Sequence, residues 1–138
     1  MTVHAPIRED ERWQRLRGMV EEMAYLEAEE DEWFTLASGR KSKHFFDTKP
    51  VMMHPEASQL LGALLNDRLD EWKPDLVGGL ELGAVPLTAI AISTSANDCP
   101  RLGFMVRKAA KGRGGRKNNN PPGVEGSSIA SGGQDVIL

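Results

Sequence analysis

The chain has 138 residues, the length of one compact domain, and its 40% hydrophobic and 27% charged residues suit a folded globule and exclude a collagen-like or wholly disordered polymer. Lys and Arg number 17 against 20 Asp and Glu, so the formal net charge is −3 and no overall basic field draws the protein to nucleic acid or to acidic lipid. One cysteine, Cys99, excludes an internal disulfide.

No basic segment followed by an apolar run opens the chain, and the longest nearly apolar stretch, residues 84–92, is far shorter than the roughly 20 residues of a membrane-spanning helix. A soluble protein of the reducing cytoplasm, with no membrane partner, is the expectation. His4, His44 and His54 lie far apart and none has a Cys at zinc-finger spacing, so no structural metal site is expected.

Between residues 9 and 26, Trp13, Leu16, Met19, Val20, Met23 and Leu26 recur three and four apart, the spacing of one helical face. Five acids in the six positions 27–32 oppose the helix dipole and end that helix, and the run reads as a solvated face. Residues 33–36 and 44–47, separated by the polar stretch 38–42, predict a hairpin of two short strands. Pro55 opens a second amphipathic helix whose inner face carries Leu60, Leu61, Leu64, Leu65, Leu69 and Trp72.

Residues 75–80 form a short apolar run punctuated by glycine, 81–83 a tight turn, and an Ala- and Ile-rich helix follows, entered through Pro86. Residues 102–106 read as the next buried strand. Strands alternating with helices generate a parallel sheet, so the expected class is α/β. Then the composition changes: of the 22 residues from 112 to 133, 15 are Gly, Asn, Pro or Ser, which predicts a functional loop or a linker. Residues 134–138 begin another apolar strand.

Two features carry chemistry. The turn around Gly79 and Gly83 would let backbone N–H groups approach a phosphate at a helix N-terminus. Its spacing matches neither a Walker loop nor a dinucleotide fingerprint, and glycines of this kind also serve merely to close a βα turn. Residues 107–117 hold Arg107, Lys108, Lys111, Arg113, Arg116 and Lys117 with no acid among them, in an otherwise acidic chain. That concentration suits a polyphosphate ligand, and a Gly/Arg-rich RNA-binding segment fits the composition equally. Glu81 is the one acid in the turn and is expected to hold it rather than to catalyse. Ser38, Ser42 and Cys99 lack the surroundings of a nucleophile, so covalent catalysis has no support.

Taken in order, residues 34–42 (FTLASGRKS), 45–47 (FFD), 78–87 (GGLELGAVPL), 106–112 (VRKAAKG) and 124–126 (VEG) resemble the orotate phosphoribosyltransferase family in both sequence and spacing. The resemblance implies a type I phosphoribosyltransferase fold: a parallel sheet with flanking helices and a small N-terminal hood, paired as a homodimer. Residues 1–138 would form one incomplete domain, with an N-terminal helix within 1–33 and a mobile basic Gly-rich loop at 107–133. It also implies an enzyme, a glycosyltransferase. Phosphoribosyl pyrophosphate, bound with Mg2+, would give its phosphoribosyl group to orotate, yielding orotidine monophosphate and pyrophosphate in de novo pyrimidine biosynthesis.

Carried over by position, Arg107, Lys108, Lys111 and Arg113 would contact the donor, with Lys111 and Arg113 in the catalytic role. Phe45 and Phe46 would lie beside the base, and Gly79, Glu81 and Gly83 belong to the turn that would hold pyrophosphate through its backbone. Arg113 stands where the family usually has a histidine; it neutralises phosphate but donates no proton at neutral pH. Residues 118–122 lengthen the loop. The acidic pair and Thr/Gly-rich loop of the family would follow the last strand. A C-terminally truncated chain is therefore expected, with Val136, Ile137 and Leu138 at an incompletely covered edge, marginal stability and little transferase activity alone. The alternative is a non-catalytic RNA- or phospholigand-binding protein that uses the Gly/Arg-rich loop; under the family resemblance nucleic acid is not the expected partner.

Overall fold

A computed structural model describes residues 7–96, 98–109, 120–129 and 133–138. The chain divides into two compact units, Met1–Leu60 and Leu61–Leu138.

In the first unit a 3-10 turn, Ile7–Glu9, leads into α1, Glu11–Met23. Asp10 caps α1: its carboxylate accepts the Arg12 backbone N–H at 2.8 Å and the Arg12 guanidinium at 2.6 Å. Hydrogen bonding to the Arg12 side chain, set against some desolvation, lowers the Asp10 carboxyl from 3.8 to about 2. Leu16 and Met19 are buried, and α1 packs on a short helix, α2 (Lys49–Met52), through which Val51 and Met52 enter the same core.

The helix ends earlier than its periodicity predicts. Tyr25–Glu27 forms strand β1, which pairs antiparallel with His44–Phe46, and Leu26 lies on that strand, exposed. A remote strand thus overrides the local pattern: Asp47 N–H donates to the Ala24 carbonyl and Ala28 N–H to the Lys43 carbonyl, both at 2.8 Å. The predicted hairpin is corrected for the same reason. Phe34–Thr35 (β2) pairs with Lys41–Ser42 (β3), drawn from the stretch expected to be turn, while His44–Phe46 (β4) pairs with β1 instead. The reversal is tighter than expected because Gly39, at φ 80°, closes it between Leu36 and Arg40.

Helix α3 spans Pro55–Trp72, and the division between the units falls inside it. Trp72 does not join the core as expected. It is the last residue of the helix and is 63% exposed, while Leu69 is buried in the core with Leu65 packed against it.

The second unit is built on a four-stranded sheet whose strands lie in the order Val124–Gly126 (β7), Leu102–Val106 (β6), Leu76–Leu80 (β5) and Val136–Ile137 (β8). The central β5 (Leu76–Leu80) runs parallel to β6 (Leu102–Val106) on one side and to β8 (Val136–Ile137) on the other. Helix α4 (Ala84–Ser93) crosses between β5 and β6 and packs on both, which is the alternation that the α/β class requires. Leu69, Val77 and Ala91 form the core, with Leu65 and Ile137 against it; Val136 and Leu138 are exposed at the β8 edge.

Strand β7 (Val124–Gly126), antiparallel to β6, lies inside the stretch expected to be loop. Buried Asn120 stabilises it, donating to the Ser127 carbonyl at 3.0 Å and accepting the Ile129 N–H at 2.8 Å. A second polar network lies under α3. Asn66 donates to the carbonyls of Gly62 and Ala91 at 3.0 Å and accepts from the Arg101 guanidinium at 2.7 Å; the same guanidinium pairs with Asp70. Among the described residues, no helix is long and apolar enough to cross a membrane.

Candidate functional site

β5 and β6 are adjacent and parallel, with Leu80 opposite Val106, so the segments that leave their carboxyl ends emerge side by side. That end of a parallel sheet is where open α/β folds bind ligands. From β5 comes the turn 81–83, and from β6 comes the root of the basic segment, Arg107 and Lys108.

Within the turn the glycines do different work. Gly79 is buried at the end of β5, where a Cβ would come 2.8 Å from the Ala84 Cβ; its absence lets α4 start against the strand. Gly83 is exposed, sits at φ −60° as the N-cap of α4, makes no side-chain cap and has nothing within 4 Å of a built Cβ. In the first turn of α4 the Val85 N–H donates to the Leu82 carbonyl at 3.1 Å and Pro86 has no N–H, so the N–H groups of Gly83 and Ala84 are the ones left at this open helix N-terminus, the end of a helix dipole that attracts anions. The Glu81–Leu82 peptide bond is cis.

Glu81 joins the turn to the neighbouring strand end. Its N–H donates to the Val106 carbonyl at 2.8 Å, and its Oε1 accepts the Lys108 backbone N–H at 3.0 Å. The other carboxylate oxygen lies 3.9 Å from Arg107 Nε, while Arg107 Nη1 is 3.6 Å from Glu125 on β7. The Arg107 backbone N–H is held by the Gly123 carbonyl at 2.7 Å. One guanidinium thus lies between two carboxylates, and Lys108 is exposed beside it. Chemically, these groups offer an anion uncapped helix amides, a guanidinium and an ammonium, with no nucleophile among them.

Of the residues singled out in the sequence, Gly79, Glu81, Gly83, Arg107 and Lys108 come together in the second unit. Lys111 and Arg113, together with Arg116 and Lys117, lie outside the described residues. Phe45 and Phe46 belong to the first unit, on β4. As successive strand residues they face opposite sides of the ribbon. Phe45 packs against Phe34, with ring centroids 5.6 Å apart, and Phe46 against Tyr25 at 5.2 Å. Tyr25 also bonds the His44 ring at 2.6 Å, and desolvation first, then the Glu27 charge, raises its hydroxyl above the ordinary value.

Glu125 stands in the sequence only as part of the VEG pattern, and its place beside Arg107 is not legible there, because their contact crosses strands. Among the described residues, no group of three or more His, Cys, Asp and Glu is placed to hold a metal ion.

No family model matches the chain. A curated orotate phosphoribosyltransferase from Rhodopseudomonas palustris (strain TIE-1) is 49% identical over 83 residues, 59% of this chain and 44% of that protein. One from Corynebacterium glutamicum (strain R) is 32% identical over 114 residues, 83% of this chain and 59% of that protein.

The Mycobacterium tuberculosis H37Rv orotate phosphoribosyltransferase is similar in structure. Its complex with Fe(III) dicitrate superimposes with a TM-score of 0.69 at 30% identity, covering 95% of this chain and 65% of that one. Its complex with 5-phospho-alpha-D-ribosyl 1-diphosphate gives 0.64 at 27% identity, covering 95% and 62%. In sequence and fold this chain is similar to the orotate phosphoribosyltransferases, with a type I phosphoribosyltransferase-like α/β sheet, and it spans about half the length of the curated relatives it matches.

Proposed function

We propose that the turn 79–83 and the root of the basic segment form the diphosphate grip of an orotate phosphoribosyltransferase. The reaction transfers the phosphoribosyl group of phosphoribosyl pyrophosphate to orotate, giving orotidine monophosphate and pyrophosphate, a step of pyrimidine nucleotide synthesis. The observation that carries this is the convergence, at the carboxyl ends of two adjacent parallel strands, of an uncapped helix N-terminus with Arg107 and Lys108.

The chemistry agrees with the residues present. As the bond to the sugar breaks, negative charge gathers on the leaving diphosphate, and fixed amides and cations stabilise it without a covalent intermediate. Lys111 and Arg113 add charge to the same segment. Arg113 neutralises phosphate and leaves proton donation to solvent or another group. Phe46, 59% exposed on its strand, offers a flat apolar face to an orotate ring. The carboxylates of Glu81 and Glu125 are turned to Arg107, so Mg2+ fits this site as an ion carried on the substrate's phosphate oxygens. By the same resemblance two copies of the chain pair, which sedimentation velocity tests directly.

Transfer is tested with orotate, phosphoribosyl pyrophosphate and Mg2+, following orotate absorbance and pyrophosphate release. Two samples are compared: the chain, and a chimera that joins it to the remaining length of the Rhodopseudomonas palustris relative. Pyrophosphate release in step with orotate consumption by the chimera supports the assignment. A cooperatively folded chimera that consumes no orotate overturns it.

A further inference from the structure

We infer that Glu81 is a positioning residue, which fixes the start of the basic segment against the turn by accepting the Lys108 backbone N–H. The inference rests on the diphosphate reading above and assigns Glu81 a part in it other than contact with substrate.

Three facts about its geometry support this. Glu81 is the one acid between Leu80 and Gly83, and an acid beside an anion site repels the ligand, so its presence there needs another reason. Its carboxylate crosses 27 positions of sequence to a backbone group, the Lys108 N–H at 3.0 Å, and its own N–H is tied to Val106 at 2.8 Å. Glu81 is therefore attached at both ends to the segment that leaves β6. Finally, the Arg107 N–H is already held from the other side by Gly123 at 2.7 Å, so the root of the basic segment lies between β7 and the turn. Without the Glu81 bond the Arg107–Gly123 tie remains, but among the described residues no other hydrogen bond holds the Lys108 N–H toward the turn.

This role makes a demand that a purely electrostatic one does not. An amide N–H needs an acceptor, and a glutamine carbonyl accepts as a carboxylate does, so Glu81→Gln keeps the tie while removing the charge. Glu81→Ala removes both.

The test is a calorimetric titration of magnesium diphosphate into the chain, Glu81→Ala and Glu81→Gln, with hydrogen exchange of the Lys108 amide followed in parallel. Loss of one hydrogen bond to a charged acceptor predicts Kd about tenfold weaker for Glu81→Ala, and Lys108 exchange faster by a similar factor. Glu81→Gln is expected to stay within about threefold of the unchanged chain and to keep Lys108 protected.

A second pair reaches the same bond from its donor. Lys108→Ala and Lys108→Pro both lack the ammonium, but only proline lacks the N–H, so Lys108→Pro is expected to bind about tenfold more weakly than Lys108→Ala. Equal binding by Glu81→Ala and the unchanged chain overturns the inference, as does Glu81→Gln binding as weakly as Glu81→Ala. Absence of binding by the unchanged chain overturns the diphosphate reading itself, and the inference with it.

Discussion

Gly79 and Gly83 separate what the turn needs to fold from what it needs to bind. An alanine at 79 would set its methyl carbon 2.8 Å from that of Ala84, where an ordinary carbon contact is about 3.5–4.0 Å, so α4 must retreat from β5 by roughly 1 Å. Overpacking of this size costs about 1–3 kcal/mol, which for a chain of this length lowers the melting temperature by roughly 3–10 °C.

Alanine at 83 meets nothing within 4 Å and adopts φ −60° without strain, so its melting temperature is expected within about 3 °C of the parent. Its methyl group does stand on the open face of the turn, where diphosphate would approach, and so weakens binding. Thermal melts by circular dichroism, paired with diphosphate titration, read both effects. A Gly79→Ala protein melting within a degree of the parent refutes the packing argument. A Gly83→Ala protein that melts as low as Gly79→Ala refutes the separation.

Two further outcomes follow from the polar contacts. Asn66→Ala removes the acceptor of Arg101 Nη1, leaving Asp70 on Nη2 of a side chain that is 1% exposed, and should cost about 2–3 kcal/mol in urea denaturation; less than about 1 kcal/mol would show that the Asn66 part of the network is not needed. The Asp10 carboxyl is lowered from 3.8 to about 2, so its contribution to stability is complete only well above 3.8, begins to fall as the pH approaches 3.8 and is lost as pH falls through about 2. The melting difference between the chain and Asp10→Asn should therefore shrink steadily from pH 5 to pH 2, and a difference that holds constant across that range contradicts the assignment.

What the sequence discloses follows from how far each signal reaches. The run β5, turn, α4, β6 was legible because apolar runs, glycines and Pro86 signal within a few residues of where they act. Helix α3 was legible for the same reason, up to Trp72, its exposed last residue. The N-terminal strands were not legible because β1 and β4 are joined by pairing of Leu26 with Phe45, 19 positions apart, flanked by Tyr25 with Phe46 and Glu27 with His44, and no local pattern announces a partner that far away. Strand β7 hid in a Gly- and Asn-rich stretch because β6 supplies its hydrogen bonds. Within the site, the cations and glycines were visible as residue types. The Glu81 tie to Lys108 and the place of Arg107 between Glu81 and Glu125 were not, since each depends on two strands lying side by side. Arg101 is buried although charged, because Asn66 and Asp70 meet it from α3.

The claim that the strand ends grip a diphosphate is tested most directly by two-dimensional amide NMR during titration with magnesium diphosphate. The signals of Leu82, Gly83, Ala84 and Lys108 are expected to shift together and saturate at one ligand per chain, while those of Leu76 and Leu102, at the opposite ends of the same strands, stay in place. Signals at the turn and at Lys108 that remain unmoved at saturating diphosphate would contradict it.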